Sequence, residues 1–465
     1  MVQHDFKRAA TENNFPKINI INNDILCYIL TFLPLNEAVR TSILARRWRN
    51  LWKFNPNLIV EYRDHKRMQE LPNSDTIISN LLDSHKTKLK CCQIYHSASD
   101  VNKLRVLQWI KRLKESHHVQ DLALQSDRVF RYDYWMFGTP VFGKQLSAPS
   151  KLFGSQTLQV LKLSQYILRD GSAFEGCVNL TTLKLQDVKL FSSTTIAEII
   201  SNCPRLTSLS LINCVESKTS TWKDLRLCSD KLEYLELRQG NRIYNLYIDA
   251  VRLHTLVLEF QMTVWDSHIN TPLLATFRLV DGCGSRFLSF PIGFQTAKRC
   301  NFTHKGLENV RYLSVVLGVS YQSDTELLCR IFQVCLHLKE LHIINYERRQ
   351  VLGGPVPQEN IRENDEPLLF WDDDKIEGKV SINLRALEVS MFRADRLEME
   401  FVRYVMSYAD LESLVIHYDK SCSIQVVDAA NQILLSHPRA SGTAAISLRL
   451  NYLENMIIQP SRYNC

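Results

Sequence analysis

Five stretches decide the fold: Leu158-Gln159-Val160-Leu161-Lys162-Leu163, Leu180-Thr181-Thr182-Leu183-Lys184-Leu185, Leu206-Thr207-Ser208-Leu209-Ser210-Leu211, Leu232-Glu233-Tyr234-Leu235-Glu236-Leu237 and Leu253-His254-Thr255-Leu256-Val257-Leu258. Each reads Leu-x-x-Leu-x-Leu, and the middle leucines stand 22, 26, 26 and 21 residues apart. A Leu-x-Leu alternation makes a short strand with one apolar face, because successive side chains point to opposite sides. The earlier leucine turns into the same core. One such unit cannot bury its face alone, so successive units must stack side by side.

A step of roughly 20–29 residues is that of a leucine-rich repeat. The phrase continues more loosely as Val119/Leu122/Leu124 upstream, and downstream as Leu274/Phe277/Leu279, Val310/Leu313/Val315, Leu338/Leu341/Ile343, Leu384/Leu387/Val389 and Leu411/Leu414/Ile416. Steps of 36 and 46 residues in this half imply insertions or a missed unit. Gly353-Gly354-Pro355, Pro357 and the acidic run Asp372-Asp373-Asp374 mark 346–379 as a loop insertion. Thr194 to Asn202 suits a short helix on the convex side. The expected fold class is α/β: an irregular solenoid curved as a horseshoe, preceded by a small all-α head.

Bulk composition fits this. The chain has 465 residues, 45% hydrophobic and 23% charged, which are ordinary globular values. A net charge of +7 with scattered cations gives only a mildly basic surface. Met1 to Lys17 is polar, mixed in charge and expected to be flexible, and no apolar run approaches the ~18 residues that span a bilayer. Membrane association is therefore not expected. Thirteen cysteines include no Cys-x-x-Cys pair. Cys177, Cys203 and Cys335 each stand three residues before a repeat leucine, so they are expected in the core as small hydrophobes. That points to a reducing compartment, cytoplasm or nucleus. No metal or cofactor is implied.

Ahead of the repeats the period changes. Ile21, Ile25, Leu26, Ile29, Leu30 and Leu33 fall at helical spacing, with Asn23 as the expected N-cap and Pro34 as the stop. Asn36 is expected to cap a second helix whose single face carries Val39, Ile43, Leu44, Trp48, Leu51 and Trp52. About 35 residues are too few to shelter such faces unaided, below the roughly 40 at which chains fold alone. Something else must cover them.

This head resembles the F-box, through Ile21-Asn22-Asn23-Asp24-Ile25-Leu26, Ile29-Leu30-Thr31-Phe32-Leu33-Pro34, Ala38-Val39-Arg40-Thr41-Ser42-Ile43-Leu44 and Arg46-Arg47-Trp48-Arg49-Asn50-Leu51-Trp52. Joined to leucine-rich repeats, the chain resembles the plant F-box/leucine-rich-repeat family. The stretch Leu384-Arg385-Ala386-Leu387-Glu388-Val389, with Glu400-Phe401-Val402, Leu411-Glu412-Ser413-Leu414 and His437-Pro438-Arg439-Ala440-Ser441, is similar to that family's FBD-type module. The implied organisation is 18–60 F-box, 61–345 repeats, 346–379 insertion and 380–465 FBD-like repeats and cap. The resemblance implies a non-catalytic adaptor that docks the Skp-type subunit of an SCF-type cullin–RING ubiquitin ligase and recruits a protein substrate. The positions matching the docking face are Ile21, Ile25, Leu26, Leu30, Pro34, Val39, Leu44, Trp48 and Trp52, some of which would face the head's own core. Where the family begins with Leu-Pro this chain has Ile21-Asn22, which forgoes proline's fixed φ.

Other readings fit less well. A helix-turn-helix needs polar groove-reading residues where Ala38 and Val39 stand. Gly138-Thr139-Pro140-Val141-Phe142-Gly143-Lys144-Gln145 lacks the hydroxyl a phosphate loop needs, and Gly282-Cys283-Gly284 lacks the third glycine of a dinucleotide site. A repeat scaffold acting outside any ligase is the alternative that keeps the architecture. Residues flanking the strand leucines should face the concave side, which makes Lys184, Ser210, Glu236, Arg238, Arg278, His342 and Glu388 the candidates for substrate contact. Their mixed signs argue against a nucleic-acid groove.

Overall fold

The repeat leucines line up strand against strand. In the computed structural model, Leu183 pairs with Leu209, Leu209 with Leu235, Leu235 with Leu256 and Leu256 with Phe277. The row runs on through Leu313, Leu341, Leu387, Leu414 and Ile446, every pairing parallel. The structure describes residues 21–59, 74–96, 100–126, 146–216, 222–239, 243–260, 264–281, 300–302, 307–317, 334–345, 383–438 and 445–449, with scattered positions between 318 and 334 and Ala440. The expected flexible segment 1–17, the insertion 346–379 and the glycine stretches at 138–145 and 282–284 lie outside the described residues.

Two compact units divide the chain: Met1–Asp127 with Thr157–Val160, and Arg128–Gln156 with Leu161–Cys465. In the first, helix α1 (Asn23–Leu30) and helix α2 (Leu35–Arg40) are followed by 3₁₀ turns at Thr41–Ile43 and Arg46–Phe54. The helical head gives way at Asn55–Pro56 to strand Asn57–Ile59, which pairs in parallel with Cys91–His96, and that with Asp121–Ser126. Leu58, Cys92 and Leu122 share one register row. Leu89-x-x-Cys92-x-Ile94 is thus a repeat unit that the strict leucine phrase misses, because cysteine stands at the middle position and packs there as a hydrophobe. Helices Ser74–Ser84 and Asp100–Glu115 lie between these strands in sequence, joined by Trp109 Nε1 donating to Ser79 Oγ at 2.9 Å.

In the second unit eleven parallel strands run from Val160–Ser164 to Ala445–Arg449. Across the long steps, Phe277 pairs directly with Leu313 and Leu341 with Leu387. In both steps the flanking repeat strands are therefore direct neighbours, and no further strand of this sheet lies between them. A left-handed residue follows the strand at Gln165 (φ 66°), Asp187 (φ 54°) and Asn213 (φ 50°), and its N–H donates to the next repeat's strand end: Gln186 O, Ile212 O and Arg238 O. Asx side chains tolerate this conformation better than most.

The opposite layer departs from expectation. Helix Thr195–Asn202 is present, but farther along the layer is a second parallel sheet of Trp222–Cys228, Ile243–Asp249, Val264–Asn270 and Cys300–Phe302. Trp222, Leu225 and Leu227, then Ile243, Leu246 and Ile248, turn inward and are fully buried. The inward residues stand three and then two apart in each run, and the parallel pairing of one unit with the next brings Trp222 beside Ile243, Leu225 beside Leu246 and Leu227 beside Ile248. On the outer face Asn245 Nδ2 donates to Asp224 Oδ1 at 2.6 Å and Asn270 Nδ2 to Asp249 Oδ1 at 2.9 Å.

The core cysteines sit as their spacing predicts. Cys177, Cys203 and Cys335 are buried, and none of the three is in a disulfide. Burial pushes the Cys335 thiol up to about 12.

Candidate functional site

The head builds a small core from Leu26, Leu30, Ala38, Trp48 and Leu51, with Ile21, Cys27, Ile29, Ala45 and Trp52 packed against it. Three of the positions matched to the docking face are among those that face the head's own core. Leu26 and Leu30 are 0% exposed and Trp48 3%, so their side chains hold the head together and present nothing to a partner. Ile21, Pro34, Val39 and Trp52 are half-buried, and Ile25 and Leu44 are exposed.

The expected second helix is broken in two, which explains the difference. Ala45 is extended (φ −160°, ψ 160°), and this resets the helical phase between Leu44 and Arg46. Ile43 and Leu44 then point to solvent while Trp48 and Leu51 point inward; they never share one face. Nor is Asn36 the cap of α2, which starts after Pro34. Asn22, not Asn23, caps α1, its Oδ1 accepting from Asp24 N at 3.5 Å, and its φ of −61° is the value proline would impose.

What the head leaves open is a contiguous-looking set in sequence: Ile25, Tyr28, Phe32, Leu33, Ile43 and Leu44, with Ile43 86% and Phe32 70% exposed. Tyr28 and Phe32 meet edge to face, centroids 5.0 Å apart. Ile25 and Tyr28 on α1 and Phe32 in the turn after it recur at i, i+3 and i+7, a second apolar stripe opposite the core stripe. That stripe was legible. A helix apolar on both sides must be covered on both sides, and the intervening Leu26 and Leu30 drew the reading to the inner one.

Asn55 joins this head to the first strand. Its side chain is buried, Nδ2 donating to Leu30 O at 3.1 Å and Oδ1 accepting from Asn57 N at 2.9 Å. Its own carbonyl lies 2.6 Å from His85 Nε2. Burial holds the His85 imidazole below its ordinary value, against the pull of the Asn55 carbonyl and with help from His117. Nε2 therefore carries the proton and Nδ1 is left a buried acceptor without a partner. No sequence signal marked Asn55, since its role depends on two segments 25 and 30 residues away.

The second site is the outward face of the repeat ladder. Lys184, Ser210, Glu236, Val257, Arg278, Ser314, His342 and Glu388 occupy one register row across eight strands. At about 4.8 Å per strand the row spans roughly 34 Å. Arg238 stands in the next row, opposite Glu259. All seven sequence candidates are thus brought together. Glu236 and Glu259 are nonetheless buried, because Arg238 lies over both: Nε is 2.6 Å from Glu236 Oε1 and Nη1 3.2 Å from Glu259 Oε2. Burial raises the Glu259 carboxyl while Arg238 and Arg278 pull it down. Lys184 is lowered, chiefly by burial.

Farther along, His342 is clasped between two hydroxyls, Nδ1 3.3 Å from Ser314 Oγ and Nε2 3.0 Å from Ser390 Oγ. Burial keeps it below the usual imidazole value. Glu388 Oε1 bonds His417 Nε2 at 3.0 Å and lies 3.9 Å from His342. This wiring is not that of a nucleophilic triad: both ring nitrogens of His342 face hydroxyls, and Ser314 and Ser390 are buried. The cluster presents fixed, prearranged polar groups, suited to recognition. Glu259, Ser314, Ser390 and His417 escaped the sequence reading because they pair only across strands. Among the described residues no group of three or more metal-ligating side chains occurs, and no helix is long and apolar enough to cross a membrane.

A small helical head with an open apolar face, followed by a ladder of leucine-rich repeats, defines an F-box/leucine-rich-repeat protein. Residues 18–59 match the F-box domain model, and 106–343 match the model described as FBD-associated F-box protein At5g56370, LRR repeats. The second match covers more than half of the chain, which therefore belongs to the family of plant FBD-associated F-box proteins with leucine-rich repeats. Similar Arabidopsis thaliana proteins include FBD-associated F-box protein At5g38590, 29% identical over 52% of this chain and 55% of its own length. F-box protein At1g80960 is 27% identical over 53% and 49%, and F-box/FBD/LRR-repeat protein At4g00160 is 26% identical over 61% and 60%. The chain spans about half to three fifths of the length of these relatives.

Proposed function

We propose that this chain is the substrate-recruiting subunit of an SCF-type cullin–RING ubiquitin ligase. Its head docks a Skp-type adaptor and its repeat ladder holds a protein substrate. The observation that carries the reading is the uncovered face of Ile25, Tyr28, Phe32, Leu33, Ile43 and Leu44 on a head whose own core is already complete. Each large apolar side chain moved from water into an interface contributes about 1.5–3 kcal/mol, so this face favours a partner. The ladder's fixed row of charged and hydroxyl groups supplies the second surface. The chain contributes no chemistry of its own: holding a target beside a charged ubiquitin carrier raises their effective concentration. Its buried free thiols at repeat positions suit the cytoplasm or nucleus.

Co-purification of the full chain with a recombinant plant Skp-type adaptor tests this. Wild type is expected to recover the adaptor, and the double variant Phe32→Ser/Ile43→Ser to lose it with an unchanged melting temperature, because both side chains are exposed. No recovery by wild type, or equal recovery by both, refutes the proposal. Leu30→Ala and Trp48→Ala are unsuitable probes, since both empty the head's own core.

A further inference from the structure

Lys86, Lys88 and Lys90 alternate with Thr87 and Leu89 in an extended segment, the lysines exposed and Leu89 buried. This segment runs beside the end of the head: Lys86 N donates to Lys53 O at 2.9 Å and Lys90 N to Pro56 O at 2.8 Å. Lys53 lies over the Trp52 ring at 5.8 Å and Lys86 over the Phe54 ring at 5.9 Å, with Phe54 itself exposed. Neither 46–53 nor 84–90 contains an acidic residue. Among the described residues none of Lys53, Lys86, Lys88 and Lys90 is ion-paired; the neighbouring Asp83 is engaged by Arg112 at 2.7 Å. Among the described residues, four cations and two aromatic rings thus form one surface with no carboxylate paired to its lysines.

This surface adjoins the open apolar face. The Asn55 side chain bonds the carbonyl of Leu30 at the end of α1, two residues before Phe32, and Asn55 follows Phe54. Phe54 thus stands one residue from the side chain that binds the end of α1, and Phe32 and Leu33 follow that end by two and three residues.

We infer that the basic-aromatic surface of Lys53, Phe54, Lys86, Lys88 and Lys90 is an extension of the docking face that receives acidic side chains of the same Skp-type adaptor. The inference rests on the proposed function. Apolar burial sets how long the complex lasts, while the uncompensated lysines steer the encounter, since complementary charge acts mainly on the association rate. A nucleic acid is the other polyanion such a patch could meet. The adaptor is favoured because the lysines continue an apolar, aromatic face that a phosphate backbone would not cover.

The test is association kinetics of the full chain with the recombinant adaptor at about 50 and about 300 mM salt, where the screening length shortens roughly 2.5-fold. Wild type is expected to associate more slowly at the higher salt. Lys86→Ser/Lys88→Ser/Lys90→Ser should lower the rate constant about tenfold at low salt, flatten its salt dependence and leave dissociation nearly unchanged. The corresponding triple Glu variant should be slower still. Phe32→Ser/Ile43→Ser should instead speed dissociation at both salts. Association by wild type that ignores salt, or triple variants that match it, overturns the inference while the docking reading stands. Failure of wild type to bind the adaptor overturns both. A single-stranded oligonucleotide bound by wild type and lost with the triple Ser variant, alongside salt-insensitive adaptor association, reassigns the surface to nucleic acid and also overturns it.

Discussion

Replacing Asn55 by alanine should loosen the docking head from the first repeat strand. The Asn55 side chain satisfies two backbone groups at once, the carbonyl of Leu30 at 3.1 Å and the N–H of Asn57 at 2.9 Å, and is itself buried. Alanine can replace neither contact. The Leu30 carbonyl keeps the Leu33 N–H at 3.2 Å, so only the Asn57 N–H is left without a partner. One such buried backbone group costs about 1–3 kcal/mol, and with the lost bond to Leu30 the net loss should be about 2 kcal/mol. Stability of a domain is only about 5–15 kcal/mol in total. Asn55→Asp sharpens the argument. It keeps an acceptor for Asn57 but sets a carboxylate oxygen against the Leu30 carbonyl, so at pH 7 it should fall below the alanine variant. Hydrogen exchange of peptides covering α1 and Asn57–Ile59, with urea unfolding of the full chain, reads both effects. Protection in α1 should drop in the order wild type, Ala, Asp. An alanine variant within about 1 kcal/mol of wild type with unchanged exchange would refute the reasoning, because the two bonds could then not be what holds the head in place.

Three further outcomes are expected. His85 is held below its ordinary value by burial, so the stability it contributes is present above the unfolded value near 6.5 and is lost as pH falls through the lower folded one. Exchange in α1 should therefore rise on acidification below about pH 6, and His85→Phe should remove that rise; an unchanged pH profile would contradict the assignment. Arg238→Ala leaves Glu236 and Glu259 buried without their shared cation, which should cost on the order of 2 kcal/mol after allowing for the partial exposure of Arg238. The Glu236→Gln/Arg238→Ala/Glu259→Gln triple should regain most of it, both read by urea midpoints. Asn213→Val forces a β-branched residue into φ 50° and should cost about 1–3 kcal/mol, whereas Asn213→Gly should stay within about 1 kcal/mol of wild type by thermal melting.

The sequence by itself determined the ladder. Leucines in phase at 161, 183, 209, 235 and 256 demand stacked parallel strands, because no single unit can bury its own apolar face, and the same phase placed Lys184, Ser210, Glu236, Arg278, His342 and Glu388 in one outward row. It also made the helical head recognisable by residue type. Only the tertiary structure decided which of the head's apolar residues hold it together and which remain open, because one extended residue, Ala45, resets a helical phase that no periodicity could reveal. Likewise the Arg238 ion pairs, the His342 clasp and the Asn55 joint bring together residues 2 to 48 positions apart. Periodicity reports which way a side chain leaves its own strand or helix. What it meets there depends on the neighbouring segment, and that is settled only when the chain is folded.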